Sequence, residues 1–135
     1  MMHDPHPNAE PLRHVFVYGT LRAGGRNDIA RFSPTPERIG EGVVAGTLYD
    51  LGAYPGAVLG GEGRVRGEVY RILPALEAQL DVLEEVAPDG SGEYIKREVV
   101  VHVGGAPVRC LVYEIHPDRI AGRALIATGD WFRRA

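Results

Sequence analysis

The stretch VFVYGTLR at residues 15–22 decides how the chain begins to fold. Its first four residues form a continuous apolar run, which predicts a buried strand, and Gly19 follows at once, which predicts a tight turn. A glycine in this place lets the backbone bend sharply and expose its N–H groups. A concave set of N–H groups is suited to hold a carboxylate or a developing oxyanion. An ordinary strand-ending turn has the same sequence pattern, so both readings stay open for this stretch.

Further along the chain, short strand-like segments alternate with turn residues. They cover residues 43–49, 57–59, 65–72, 94–103 and 108–115. Gly60 to Gly63 predicts a hairpin turn, and residues 23–36 predict a loop or a loop with a short helix around Asp28 to Phe32. One strong helix, beginning near Pro74, interrupts the strands. This order favours an α+β domain with a curled or barrel-like sheet.

The predicted helix carries a leucine stripe and several acidic residues. The leucines are Leu73, Leu76, Leu80 and Leu83, and the acidic residues are Glu77, Asp81, Glu84 and Glu85. At about 100° per residue, Glu84 falls just beside the stripe, whereas Asp81 and Glu85 lie farther towards solvent. Partial desolvation and the nearby helix C-terminus both raise the pKa of a carboxyl group towards the range useful for proton transfer. The spacing therefore selects Glu84 as the candidate acid/base residue.

Other kinds of chemistry find little support in the sequence. Cys110 is the only cysteine, which excludes an internal disulfide and a cysteine metal cluster. The two serines, Ser33 and Ser91, lie in no nucleophile-elbow motif, and no His-Glu-x-x-His spacing occurs. The six tyrosines offer apolar walls with polar tips, which suit a small polar ligand or the edges of a barrel. The sequence therefore predicts an enzyme or binding protein with no metal and no cofactor.

Length and charge limit the partners that we expect. The chain has 135 residues, enough for one domain, and 15 basic against 18 acidic residues give a net charge of −3. No large basic block accompanies this charge, so we expect neither a nucleic acid nor a membrane as partner. We expect a disordered tail over residues 1–13, a single domain over residues 14–135, a monomer and a cytoplasmic location.

Several segments, in the same order, resemble landmarks of the γ-glutamylcyclotransferase-like family, particularly its small bacterial members. They are residues 15–22, 46–51 with 54–56, 67–70, 80–84, 94–99 and 129–131. The resemblance covers nearly everything from His14 onward. It implies an α+β fold built on a small, partly closed mixed β-barrel with one main inserted helix and short helices. The active pocket is then expected at one mouth of the barrel.

The resemblance also implies a reaction. The α-amine of a γ-glutamyl amide attacks its own γ-carbonyl, which closes a five-membered ring, releases an amine and forms 5-oxoproline. Glu84 would take a proton from the α-ammonium group and pass it to the departing amine. The residues expected to bind the substrate are Tyr18, Gly19, Thr20 and Leu21, with Tyr94 as a family match and Tyr113 as a looser one.

Two questions remain open: which glutamate is the acid, and which function the fold serves. Many relatives have glycine after the catalytic glutamate, whereas Glu85 stands there in this chain, so a shift of one residue would make Glu85 the acid. The leucine spacing favours Glu84. The fold would also fit a non-catalytic small-ligand binding module, or an acyl transfer enzyme that removes a γ-glutamyl group in a biosynthetic route. Residues 23–36 and 88–93 would determine which amine is released.

Overall fold

Five strands form a closed mixed β-barrel. The computed structural model describes residues 13–86 and 92–134. The barrel strands are β1 Arg13–Val17, β2 Glu37–Asp50, β3 Pro55–Ile72, β4 Tyr94–Val103 and β5 Ala106–Ile115, and a short sixth strand outside the ring, β6 Ala124–Leu125, pairs with β2. The order is β3-β1-β5-β4-β2-β6, and an additional pairing of β2 with β3 closes the ring. The predicted α+β fold with a small mixed barrel is therefore confirmed.

Strand β1 lies between β3, to which it is antiparallel, and β5, to which it is parallel. Val15 and Val17 pack into one core cluster, whereas Phe16 and Tyr18 pack into the other. A strand buried on both faces needs a continuous apolar run rather than an alternating one, which is what the sequence provides. The strand begins at Arg13, the last residue of the predicted tail. The rest of that tail, residues 1–12, lies outside the described residues.

The prediction of a hairpin turn at Gly60 to Gly63 is wrong. β3 continues through these residues, and the turn between β2 and β3 lies at residues 51–54. Ala45 pairs with Arg64, and the next residue, Gly46, pairs with Leu59, so residues 60–63 bulge out of the ladder. Glycines in the left-handed region favour a bulge as well as a turn, and the pairing with β2 decides between the two.

Helix α1, Pro74–Leu83, crosses from the end of β3 towards the mouth of the barrel. Leu76 and Leu80 are fully buried, but Leu73 and Leu83 are 39% and 42% exposed. The predicted stripe is thus right in its centre and wrong at its ends, because Leu73 is the N-cap and Leu83 is the last helical residue. Glu84 is the C-cap, and its N–H donates to the carbonyl of Leu80 at 2.9 Å.

Three short 3₁₀ helices complete the described part of the chain: Ile29–Arg31, Pro117–Arg119 and Trp131–Arg133. The first lies within the segment where a short helix was one of two predictions. Trp131, in the third of these helices, is buried. Within residues 13–86 and 92–134, no helix has the length and apolar character to cross a membrane.

Candidate active site

A cavity of about 180 Å³ opens where β1 ends and α1 ends. Its walls include every residue that the sequence selected: Tyr18, Gly19, Thr20, Leu21, Glu84, Tyr94 and Tyr113. These residues come from β4, β5, the turn after β1 and the end of α1. The fold therefore brings the candidate site residues together, and their chemical roles remain predictions.

In the turn after β1, the carbonyl groups of residues 19–21 accept hydrogen bonds, whereas their N–H groups have no acceptor among the described residues. The carbonyls of Gly19, Thr20 and Leu21 accept from the N–H groups of Arg22, Asn27 and Ile29, at 3.1, 2.9 and 2.9 Å. The N–H groups of residues 19–21 donate to no acceptor within residues 13–86 and 92–134. Because these three residues line the cavity, their N–H groups are available within that part of the chain as donors for a carboxylate.

Gly19 is required by the close approach of Pro55. A Cβ added at Gly19 would lie 2.8 Å from both Cδ and Cγ of the Pro55 ring. This ring is rigid and buried, so it has little room to move away. The carbonyl of Pro55 in turn accepts a hydrogen bond from the Tyr94 hydroxyl at 2.6 Å. Pro55 thus connects the turn on one side of the cavity with a tyrosine on another.

Tyr18 uses its hydroxyl to hold strands together. The hydroxyl donates to the carbonyl of Tyr113 at 2.6 Å and accepts from the N–H of Ala57 at 3.0 Å. Burial raises its pKa, so the phenol stays protonated. Because its single proton is engaged, Tyr18 offers the cavity its ring and its main chain rather than a donor.

Tyr94 and Tyr113 present acceptor oxygens to the cavity. The Tyr94 proton goes to the carbonyl of Pro55, and the Tyr113 proton goes to Oδ1 of Asp81 at 2.7 Å. Lys96 fixes Asp81 in turn through a 2.9 Å contact with Oδ2. Burial raises the pKa of both phenols. A phenol has only one O–H, so each can offer a ligand only its lone pairs.

The cavity raises the pKa of the Glu84 carboxyl group towards neutrality. The residue is partly buried, and this burial, followed by repulsion from Glu93, raises its pKa from 4.5 to about 7. A group with a pKa near the working pH can both accept and return a proton. The neighbouring Glu85 is exposed and has a left-handed backbone, with φ 52°. The geometry therefore favours Glu84 over Glu85.

Besides Glu85, the alternative acid, the cavity wall has four further polar side chains that were not selected from the sequence: Arg26, Asn27, Tyr54 and Glu93. The Tyr54 hydroxyl donates to Oε2 of Glu93, and Nη2 of Arg26 donates to the carbonyl of Ala53 at 3.1 Å. Tyr54 stands within a segment that carried the family resemblance. Arg26 and Glu93 belong to residues 23–36 and 88–93, the two segments expected to determine which amine is released. That expectation was the only indication of these two residues in the sequence.

These groups divide the cavity into two kinds of surface. Backbone donors lie at residues 19–21, whereas Glu84 and the hydroxyl oxygens of Tyr94 and Tyr113 supply acceptors. Donors suit a carboxylate and acceptors suit an ammonium group, so the cavity can hold an α-amino acid moiety in a defined orientation. Among the described residues, no group of three or more His, Cys, Asp or Glu side chains is placed to hold a metal ion.

Comparison with known proteins gives one consistent family. Residues 15–133 match the family model described as gamma-glutamyl cyclotransferase, AIG2-like. The gamma-glutamylcyclotransferase family protein YtfP of Escherichia coli K12 is 38% identical over 121 residues, which cover 89% of this chain and 96% of that protein.

Two solved structures are similar to the whole domain. The solution structure of ytfP from Escherichia coli has a TM-score of 0.61 and 34% identity, and covers 90% of this chain and 97% of its own. The crystal structure of an aig2-like protein from mouse has a TM-score of 0.70 and 27% identity, and covers 84% and 85% of the two chains. The chain therefore belongs to the gamma-glutamyl cyclotransferase, AIG2-like family, and is a γ-glutamylcyclotransferase-like enzyme.

Proposed function

We propose that the protein cyclises a γ-glutamyl amide, releasing 5-oxoproline and an amine, with Glu84 as the acid/base residue. The observation that carries the proposal is the position of Glu84, a carboxyl with a pKa of about 7 in the same cavity as the donors of residues 19–21. The two kinds of surface match the two charges of an α-amino acid group. Family membership supports the reaction class.

The substrate binds with its α-carboxylate on the N–H groups of residues 19–21. Its α-ammonium group then lies beside Glu84 and the acceptor oxygens of Tyr94 and Tyr113. This orientation turns the γ-carbonyl back towards the α-nitrogen within the 180 Å³ cavity. Because nucleophile and electrophile belong to one molecule, correct folding of the glutamyl chain supplies much of the rate acceleration.

Glu84 alone can carry out the proton transfers that the reaction needs. Ionised Glu84 takes one proton from the α-ammonium group, which frees the nitrogen lone pair. The nitrogen attacks the γ-carbonyl carbon, the ring C–N bond forms, and the tetrahedral intermediate then breaks the bond to the leaving nitrogen. Protonated Glu84 delivers this first proton to the leaving nitrogen, and the restored carboxylate then takes the second proton from the ring nitrogen and passes it to the same amine. 5-Oxoproline with one N–H and an ammonium product therefore leave, and the carboxylate is restored.

The test measures 5-oxoproline release from γ-glutamyl amides with neutral, cationic and anionic leaving amines. Glu84→Gln keeps the side-chain shape but removes the acid/base group, so we expect kcat to fall by about 10²–10⁴-fold. Glu85→Gln is the matched control for register, and we expect it to lose at most about tenfold because this side chain is exposed. A larger loss in Glu85→Gln than in Glu84→Gln would assign the acid to Glu85.

Other products would identify the alternatives. Free glutamate in place of 5-oxoproline would indicate an acyl transfer or hydrolysis that removes the γ-glutamyl group. Saturable binding with no product from any amide would indicate a small-ligand binding module. We further propose a small molecule as the partner, which the cavity size supports, and a cytoplasmic location, which the single cysteine supports. We propose a monomer as the acting form.

A further inference from the structure

A buried ion-pair network lies directly behind the turn at residues 18–21. Nε of Arg22 lies 2.5 Å from Oε2 of Glu68, and Nη1 of Arg22 lies 2.7 Å from Oδ1 of Asp130. Glu68 is 3% exposed and Asp130 is 7% exposed. We call these three residues the anchor network. They are not among the residues that line the cavity, so they do not contact its interior directly.

Glu68 holds both ends of the turn. On one side, Val17, the last residue of β1, pairs with Glu68 in the β1–β3 ladder. On the other side, Oε1 of Glu68 accepts from the N–H of Ala23 at 2.9 Å, while Oε2 binds Arg22. The four residues between Val17 and Arg22 are therefore held between two attachments to one residue of β3.

Asp130 connects the same arginine to the C-terminal 3₁₀ helix. Its Oδ1 accepts from Nη1 of Arg22 and also from the N–H of Phe132, at 2.7 and 2.9 Å. The Arg22 guanidinium lies 4.4 Å from the centroid of the Phe132 ring. Arginine can bind two carboxylates at once because its guanidinium is a rigid fork of donors, which lysine is not. The network thus connects the turn both to strand β3 of the barrel and to the C-terminal 3₁₀ helix.

We infer that the anchor network positions the N–H groups of residues 19–21 for the substrate carboxylate. Buried ion pairs contribute little stability over a well-packed neutral replacement, so stability alone does not account for two buried acids on one arginine. The inference rests on the proposed function for the nature of the ligand. Arg22, Glu68 and Asp130 are then positioning residues, which act on the substrate only through the turn.

The test is a triple variant, Arg22→Met, Glu68→Gln and Asp130→Asn, which removes all three charges together and leaves no buried charge unpaired. The new side-chain amides keep acceptors for the N–H groups of Ala23 and Phe132. We expect KM to rise by about 10–100-fold with kcat changed by less than about threefold, because ordering the loosened turn on binding weakens the ground-state and transition-state complexes equally. Arg22→Lys should give an intermediate KM, since it keeps the charge but loses the fork.

A control pair and a second measurement separate positioning from folding. Arg71→Met with Glu37→Gln removes an exposed ion pair between β2 and β3 that has no contact with the turn, and should leave KM unchanged. Without substrate, ¹⁵N order parameters of residues 19–21 should fall from about 0.85 to below about 0.6 in the triple variant. Urea unfolding of each variant shows how much stability is lost.

The outcomes are distinct. A triple variant with wild-type KM and wild-type order parameters would overturn the inference, as would a KM that follows the loss of stability across all variants. Should the wild-type protein turn over no γ-glutamyl amide, the proposed function fails, and the order parameters alone decide whether the network holds the turn.

Discussion

The raised pKa of Glu84 predicts that removing its charge stabilises the fold. Burial and the nearby Glu93 raise this pKa from 4.5 to about 7. At about 1.36 kcal/mol per pKa unit, ionising Glu84 in the folded state costs about 3 kcal/mol. Below pH 4.5 the carboxyl is protonated in both states and this cost is absent. As pH rises towards 7 the unfolded state releases its proton first, so the free energy of unfolding falls, and above pH 7 the full cost is present.

Glu84→Gln carries no charge at any pH, so the cost disappears. We expect the variant to be more stable than wild type by less than about 1 kcal/mol at pH 5 and by about 3 kcal/mol at pH 8. Urea unfolding followed by tryptophan fluorescence at both pH values measures the difference through buried Trp131. The same variant should lose its turnover, so stability and activity change in opposite directions.

The control is Glu85→Gln, one residue further along. Glu85 is exposed, so this change should alter the free energy of unfolding by no more than about 0.5 kcal/mol at either pH. If Glu84→Gln were no more stable than wild type at pH 8, the carboxylate would not be desolvated, and the physical basis for choosing Glu84 would be refuted.

Three further predictions concern the cavity. The wild-type kcat/KM should rise about tenfold per pH unit below pH 7 and level off above it, since only ionised Glu84 accepts the substrate proton; a flat profile from pH 5.5 to 7 would contradict this. Gly19→Ala should cost about 1–3 kcal/mol in urea unfolding and raise KM, because the new Cβ meets the Pro55 ring; an unchanged KM would show that the turn does not bind substrate. Tyr113→Phe should lower kcat/KM by about tenfold, because the Asp81-oriented acceptor is lost, and wild-type kinetics would exclude Tyr113 from the site.

The strands and the helix could be predicted because their local patterns agree with their environment. The apolar run before Gly19 matches a strand buried on both faces, and the spacing of Leu76 and Leu80 matches a helix that packs on the core. Gly60 to Gly63 could not be assigned in the same way. Glycine has the same conformational freedom in a turn and in a bulge, and only the register against β2 separates the two.

The place of Glu84 at the cavity could be predicted from the sequence, whereas the contacts between loops around the cavity could not. The position of Glu84 follows from helical geometry, because the packing of Leu80 on the core fixes where the C-cap residue, four positions later, lies. Tyr54 and Glu93 come from segments 39 residues apart and bond each other across the mouth. The anchor network joins residues 46 and 108 apart in sequence. No local periodicity records such contacts, because they arise from how the barrel closes.

The placement of β1 has a consequence for how the molecule is made. Val15 pairs with Leu111 of β5 in the closed barrel, so the strand that leads into the turn at residues 18–21 acquires one neighbour only after most of the chain exists. Contacts so distant in sequence form slowly, because a long loop must close before they stabilise anything. During synthesis one edge of β1 therefore stays unpaired until β5, about a hundred residues later in the chain, has been translated. Catalytic competence should appear in a single late step, when β5 docks, rather than growing in proportion to chain length.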